Sequence, residues 1–263
     1  MRLLNYYGVI FNVSRTSNHF LQEVVSIAHK VLFINCTPKK SPRESNTRAL
    51  CDDIAGVYQK EHGLQCDFVR VVDFNVLPGI KSDMGEGDQW PVILEKIKDA
   101  DIIIVATPIW IGNISSLAQR VFERLEGTYS EGDPDNGQYP LYNKVGAAVI
   151  TGTEDGAHFC AKTIQFCLMR FGCTIPPGAD CYWVGPAGPG PSYIAAEGSK
   201  HLYTNRTKRT LVENTVFMAK LLSENRITTN LLEVEKKAVA ESRESAEIDW
   251  RSAARNESEH SED

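Results

Sequence analysis

Three short segments carry residue types that can handle an anion and a flat apolar ring. The first is Thr37-Pro-Lys-Lys-Ser-Pro-Arg-Glu-Ser-Asn-Thr47, where hydroxyls and cations run into a helical pattern. Hydroxyls, free backbone N–H groups and the positive end of a helix dipole together make an anion site. Ser45 or Asn46 would equally serve as an N-cap, which reads the same loop as a capped helix behind solvated residues. The second is Thr107-Pro-Ile-Trp-Ile-Gly-Asn-Ile114. Trp110 and Ile111 are bulky apolar residues in a turn, and Gly112 lets another group approach the backbone. An apolar ribbon of this kind suits a flat ring system. It also allows Trp110 to pack into a neighbouring helix or a subunit interface. The third is Thr151-Gly-Thr-Glu-Asp-Gly-Ala157. Its small residues permit close backbone approach, and Glu154 and Asp155 either accept hydrogen bonds from a ligand or complement the dipole of the next helix.

These segments need elements that hold them at one place. VLFIN (31–35), DIIIVATP (101–108) and VGAAVITG (145–152) are apolar runs, as expected of strands buried on both faces. CDFVRVVDF (66–74) reads as another strand, and a weak last strand lies within 173–184. Helical spacing marks Leu50, Ile54, Val57 and Tyr58 in 46–60, a short helix at 91–99, and Ile114, Leu117, Ala118, Val121 and Leu125. Cys160, Ile164, Cys167, Leu168 and Phe171 make a further apolar stripe, and a last helix spans about 204–222. Residues 75–90, 127–143 and 185–191 read as loops. Strands alternating with helices predict a three-layer, doubly wound α/β domain with a five-stranded parallel sheet. In such a sheet ligands sit beyond the carboxyl ends of the strands, near the switch in strand order. The three segments follow three of those ends.

The net charge of −6 over 263 residues gives no electrostatic case for nucleic acid. Residues 223–263 hold eleven acids and six bases, so the rest of the chain is nearly neutral. This tail is expected to be frayed helix or disorder, and residues 1–30 an N-terminal extension. Seven cysteines without CxxC spacing point to free thiols rather than disulfides, zinc or iron–sulfur clusters. No apolar run reaches the roughly 18 residues needed to span a bilayer, and the N-terminus is a poor signal peptide. A cytoplasmic protein without a membrane partner is expected. GxxxxGK[ST], GxGxxG, GxSxG and HExxH are all missing from the sequence.

SNT (45–47) after a buried strand, ATPIWIGNISS (106–116) and TGTEDGA (151–157) resemble the flavodoxin-like NAD(P)H-dependent FMN reductase and quinone reductase superfamily. The similarity runs in consistent order over about residues 31–222. TPIWIG is its most specific element, matching a T/S-P-x-[YW]-x-G turn. The first loop is longer than is usual there, with Lys39, Lys40 and Pro42 added. The resemblance implies strand order 2-1-3-4-5 and an FMN phosphate held by Thr37, Ser45, Asn46 and Thr47, with Lys39 beside them. It implies an isoalloxazine lined by Pro108, Ile109, Trp110, Ile111 and Gly112. Thr151, Gly152, Glu154, Asp155 and Gly156 would touch its far side. It further implies a homodimer, NADPH or NADH as donor, and a quinone, flavin or other small molecule as acceptor. No side-chain nucleophile is required, because the flavin carries the chemistry.

Outside the three loops, Asp52 and Asp53 are expected to be solvated, Cys160 and Cys167 to be core, and His158 to be an exposed first-turn residue or to face the ring. Tyr182, Trp183 and residues 185–191 read either as a lid or as a plain loop. A flavodoxin-type electron carrier and a flavin-free binding module are the competing functions. Removal of residues 228–263 is expected to leave flavin binding intact; loss of FMN from the truncated protein in a fluorescence titration would place the tail in the site.

Overall fold

The computed structural model describes residues 29–188 and 190–244. The expected N-terminal extension therefore lies, except for its last two residues, outside the described residues, as does the tail beyond 244. Five strands form one sheet: β1 (Val31–Asn35), β2 (Cys66–Arg70), β3 (Ile102–Pro108), β4 (Val145–Thr151) and β5 (Asp180–Trp183). All neighbours pair in parallel, in the order β2-β1-β3-β4-β5. This is the flavodoxin-like order, with its switch point between β1 and β3.

The apolar runs are explained by where alternate side chains go. Val31 and Phe33 of β1, Ile102 and Ile104 of β3, and Val145 and Ala147 of β4 face one core. That core is closed by α1 (Asn46–His62) and α5 (Leu202–Glu224). Leu32, Ile34, Ile103, Val105, Ala148 and Ile150 face the other, closed by α2 (Trp90–Asp99), α3 (Ser116–Leu125) and α4 (Ala157–Arg170). Both faces are dry, so period-2 alternation vanishes and the strands read as continuous hydrophobic runs. Each such Ile, Leu or Val contributes about 1.5–3 kcal/mol by burial.

Three sequence expectations shift. The strand expected over 66–74 ends at Arg70, and Val71–Asp73 form a single 3-10 turn. The cause is pairing: β1 is five residues long and its last partner is Arg70, so later residues have no ladder to join. The stretch 127–143 is not wholly a surface loop. It begins within a 3-10 segment, Glu126–Glu131, and Gly127, Thr128 and Leu141 are buried. A Cβ on Gly127 would come within 2.2 Å of the Ser82 backbone, so only glycine allows that contact. In the charged tail, Leu231–Glu244 form a helix, α6, preceded by residues that bond to the 127–143 stretch. There the Gln138 amide donates to the carbonyls of Ile227 and Thr229, both at 2.9 Å.

The loop before α2 is organised by a buried ion pair. Arg124 on α3 and Asp88 both have fully buried side chains, with Nη2 to Oδ2 at 2.6 Å. Asp88 also accepts from the backbone N–H groups of Leu77, Met84 and Trp90, and Arg124 donates to the carbonyls of Leu77 and Lys81. Burial alone would raise the Asp88 pKa; the Arg124 bonds and the backbone donors outweigh it and hold the carboxyl well below its usual range. A depressed folded pKa means stability that is present above the unfolded value of about 3.9 and lost as pH falls from there. Asp88→Asn is expected to cost about 3 kcal/mol at pH 7. In urea unfolding the gap to the parent chain should narrow below about pH 4; a gap that stays constant down to pH 3 would contradict it.

Candidate functional site

The register of the sheet brings the three loops together. Asn35 pairs with Ala106, and Pro108 with Thr151, so β1, β3 and β4 end along one rim. Backbone bonds continue past the strands: Cys36 N–H to Ala106 O at 2.7 Å, Ile109 N–H to Thr151 O at 2.8 Å, and Gly152 N–H to Trp183 O at 2.9 Å. Above this rim lies a cleft of about 270 Å³. Thr37, Lys39, Ser45, Asn46 and Thr47 line it from the first loop, Pro108, Ile109 and Trp110 from the second, and Thr151, Gly152 and Glu154 from the third. Pro38, Thr153, Ser192 and Tyr193 complete it.

The first loop is held largely by side chains that bond to it from Asn35, Asp73 and Arg70. Thr37 N–H donates to the buried Asn35 carboxamide at 3.1 Å. Ser41 donates from N–H and from Oγ to Asp73, at 2.9 and 2.5 Å. Arg70 donates to the carbonyls of Lys39 and Arg43. Ser45 is the N-cap of α1, accepting from Arg48 N–H at 3.2 Å. Its hydroxyl proton stays available, so capping and anion binding coexist here. Thr47 and Thr151 share a hydroxyl bond of 2.7 Å that links the first loop to the third. The amide nitrogen of Asn35 is buried without a partner, beside the start of this loop.

The second loop is a two-residue turn. Trp110 and Asn113 exchange both backbone hydrogen bonds, at 2.9 and 3.0 Å. Ile111 (φ 53°) and Gly112 (φ 69°) both sit in the left-handed region, as a type I′ turn requires. For a β-branched residue this conformation is strained. The third loop braces it: Glu154 accepts from Ile111 N–H at 3.0 Å, and Gly156 lies so close that a Cβ would meet Gly112 O at 2.6 Å. Ile111 is 95% exposed and Trp110 56%, so the tip presents apolar surface at the mouth of the cleft. Ile111, Gly112, Asp155 and Gly156 thus shape the rim, while their neighbours line the cleft.

Other expectations resolve as follows. Asp53 is half-buried, and the Tyr193 hydroxyl donates to it. Asp52 is exposed and pairs with Arg48 at 2.8 Å. Cys160 is buried, and burial lifts its thiol pKa to about 11; Cys167 is partly buried against the same core. His158 is exposed, its ring centroid 5.2 Å from that of Tyr182 with the planes at 86°. Trp183 packs on Tyr193 and His201 rather than lining the cleft. Gly188 N–H reaches Thr153 O at 3.2 Å, which ties the 185–191 loop to the third loop. Ser192 and Tyr193 were not found by sequence reasoning, because they follow a Pro/Gly loop without period or motif.

The cleft joins a hydroxyl- and cation-rich end at a helix N-terminus to an apolar floor. That combination fits a flat ring carrying a phosphate. No described helix is long and apolar enough to cross a membrane, and no group of three metal-binding side chains occurs among the described residues.

A family model described as NADPH-dependent FMN reductase matches residues 29–182. The chain is 40% identical over 214 residues to an 8-demethyl-8-aminoriboflavin-5'-phosphate synthase of Streptomyces davaonensis, covering 78% of this chain and 82% of that protein. It is similar to the crystal structure of RosB with the bound intermediate 8-demethyl-8-formylriboflavin-5'-phosphate. There the TM-score is 0.76 at 39% identity, over 84% of this chain and 89% of the other. It is also 40% identical over 199 residues to a Mycobacterium bovis protein described as divalent metal cation transporter MntH. That match takes in 73% of this chain and spans 29% of the other protein's length.

The brace on the second loop can be tested without a ligand. Glu154→Ala is expected to speed amide exchange of Ile111 in hydrogen-exchange mass spectrometry, at a stability cost of about 1 kcal/mol. Glu154→Gln, which keeps an acceptor, should restore slow exchange; equal rates in all three proteins would show that the carboxylate does not hold the turn.

Proposed function

The chain belongs to the NADPH-dependent FMN reductase family, and on that premise we propose that it binds FMN in this cleft and passes electrons from NADPH or NADH to a quinone, flavin or similar small acceptor. The observation that carries the reading is the convergence of an anion-binding helix start and the TPIWIG turn on one cleft at the switch point of the sheet. Thr37, Lys39, Ser45, Asn46 and Thr47 would receive the phosphate. Pro108, Ile109 and Trp110 would carry the ring, with Ile111 and Gly112 at its edge. Thr151, Gly152, Glu154, Asp155 and Gly156 would close the far side. When bound, FMN supplies the two-electron chemistry; the protein orients it and shapes the space beside it. Trp110 leaves an apolar, partly open platform for a donor and then an acceptor, used in turn.

On this reading residues 31–222 form the flavin domain, with the N-terminal extension and the tail outside the site. The exposed Trp110 and Ile111 would find apolar partners in a homodimer. A cytoplasmic location suits seven free thiols.

A second reading treats the flavin phosphate as substrate. It is favoured by the 40% identity to a synthase named for an aminoriboflavin phosphate. The same cleft would serve, so the readings separate by product and not by binding. The purified chain is expected to show a flavin spectrum, or to take up FMN on incubation, and to oxidise NAD(P)H when a quinone is added. Unchanged flavin mass after turnover supports the reductase; an altered mass supports the synthase-like reading. A colourless protein that takes up no FMN overturns both.

A further inference from the structure

Beyond the end of β5 lies a second space, and it shares no lining residue with the cleft. It is a half-open pocket of about 350 Å³ at the edge of the sheet, between the last residues of β5 and the start of α5. That is the size of a small-molecule site. Four aromatic residues line it: Tyr182, Trp183, His201 and Tyr203.

These walls are fixed by contacts among themselves. The Trp183 and His201 rings meet edge to face, with centroids 5.2 Å apart and planes at 83°. The Tyr182 and Tyr203 rings lie 5.7 Å apart, and the Tyr182 hydroxyl donates to that of Tyr203 at 3.3 Å. Thr204 ties the helix start to the strand: its hydroxyl donates to Tyr182 O at 3.2 Å, and its N–H to His201 Nδ1 at 3.4 Å. An Nδ1 that accepts leaves the imidazole proton on Nε2, where it can donate.

One donor in this wall is unmet. Trp183 is 7% exposed, and its Nε1–H is buried without a partner. A buried indole N–H normally finds an acceptor. The edge that carries it lies against Gly185, itself a residue of the pocket: a Cβ there would stand 3.1 Å from Cζ2 and 3.6 Å from Nε1. Glycine at 185 (φ 66°) keeps a side chain off that edge. On its other side Trp183 meets the Tyr193 ring, with centroids 5.9 Å apart, and Tyr193 lines the cleft. One tryptophan thus stands between the two spaces.

We propose that this pocket is a second binding site, for a flat aromatic acid. Its ring would take edge and offset contacts from the four aromatic residues. Its carboxylate would accept from Trp183 Nε1–H and His201 Nε2–H, bonds strengthened by the ligand's charge. Charge favours an acid over an ammonium ion, because the Arg206 guanidinium already lies over the Tyr203 ring, 5.2 Å from its centroid. Asp180, the acid of β5, is bonded to Gln165 and faced by His158. The site does not depend on flavin in the cleft.

The test is benzoate titrated into the isotope-labelled full chain with FMN in excess, read on the indole N–H signals of its four tryptophans. The Trp183 signal is identified by its loss in Trp183→Phe or, if that variant does not fold, by its contacts to the His201 ring. It is expected to move saturably with a midpoint of about 1 mM or below, while the signal of Trp110, in the cleft, stays. Cyclohexanecarboxylate keeps the charge without the flat ring and should bind about tenfold more weakly. Tyr203→Ala, a partly exposed position, should weaken benzoate by about tenfold. Omitting FMN should leave the Trp183 response unchanged, so failure of the FMN reading would show separately. A Trp183 signal that stays put up to about 20 mM benzoate overturns the proposal. So does movement of Trp110 alone, an equal response to both acids, or unchanged affinity in Tyr203→Ala.

Discussion

Past Asn35, Pro108 and Thr151 the strands have no ladder left, and every backbone group beyond that line must find its partner in a loop. A buried parallel sheet leaves no water there to help, and an unpaired buried amide costs about 1–3 kcal/mol. The loops at this rim are therefore organised first as partners for the sheet. Cys36 N–H goes to Ala106 O, and Cys36 O accepts from the Ser115 hydroxyl at 2.8 Å. Ser115 also caps α3, and its N–H donates to the Thr107 hydroxyl at 2.9 Å. One serine thus ties the end of β1, the end of β3 and the start of α3 into one piece. The cleft is what remains above this tied rim, where the Asn35 amide nitrogen is left without a partner.

The same helix links this rim to the opposite end of the molecule. Ser115 fixes the start of α3, and Arg124 fixes its last turn through the buried Asp88 pair. Breaking such a pair leaves an uncompensated buried charge, so loosening would begin at that end and reach the rim through the helix. Among the described residues, the one β-branched side chain in the left-handed region is Ile111, at the tip of the second loop. Asn-Gly or Asp-Gly would fit its two left-handed positions without cost, yet isoleucine stands first. The penalty is of order 1–2 kcal/mol and is offset by the Glu154 bond and the exchanged Trp110–Asn113 pair. At 95% exposure the isoleucine side chain gains little burial to offset that strain.

How far the fold could be read in advance depended on where each signal was written. β1, β3 and β4 were legible because both of their faces are dry, and a run such as IIIVAT has no other stable home in a short segment. The end of β2 was not, because it is set by the length of β1, which is information from a different part of the chain. The site divides in the same way. SNT, TPIWIG and TGTEDG stand next to the strands that position them, so composition and order were enough to find them. Tyr193 stands 140 residues from Asp53, and Ile194 stands 148 from Asn46. No local period or motif encodes a contact at that separation, and the carboxylate on α1 looked like any solvated acid until the fold placed a phenol on it.

Charge gives the last constraint on what the cleft can do. Most of the net negative charge belongs to the tail, and the described part of the tail meets the molecule through the 127–143 stretch, which enters β4 from its amino end. The cleft lies at the carboxyl ends of the strands, with Lys39 on its lining and Arg43 and Arg70 bonded within its first loop. The nearest acid on the lining, Glu154, is engaged with Ile111 N–H. A small protein that docks on redox partners through an acidic rim would invert this arrangement. The charges on and behind the lining thus suit an anionic ligand arriving from solution, as the proposed phosphorylated flavin would be.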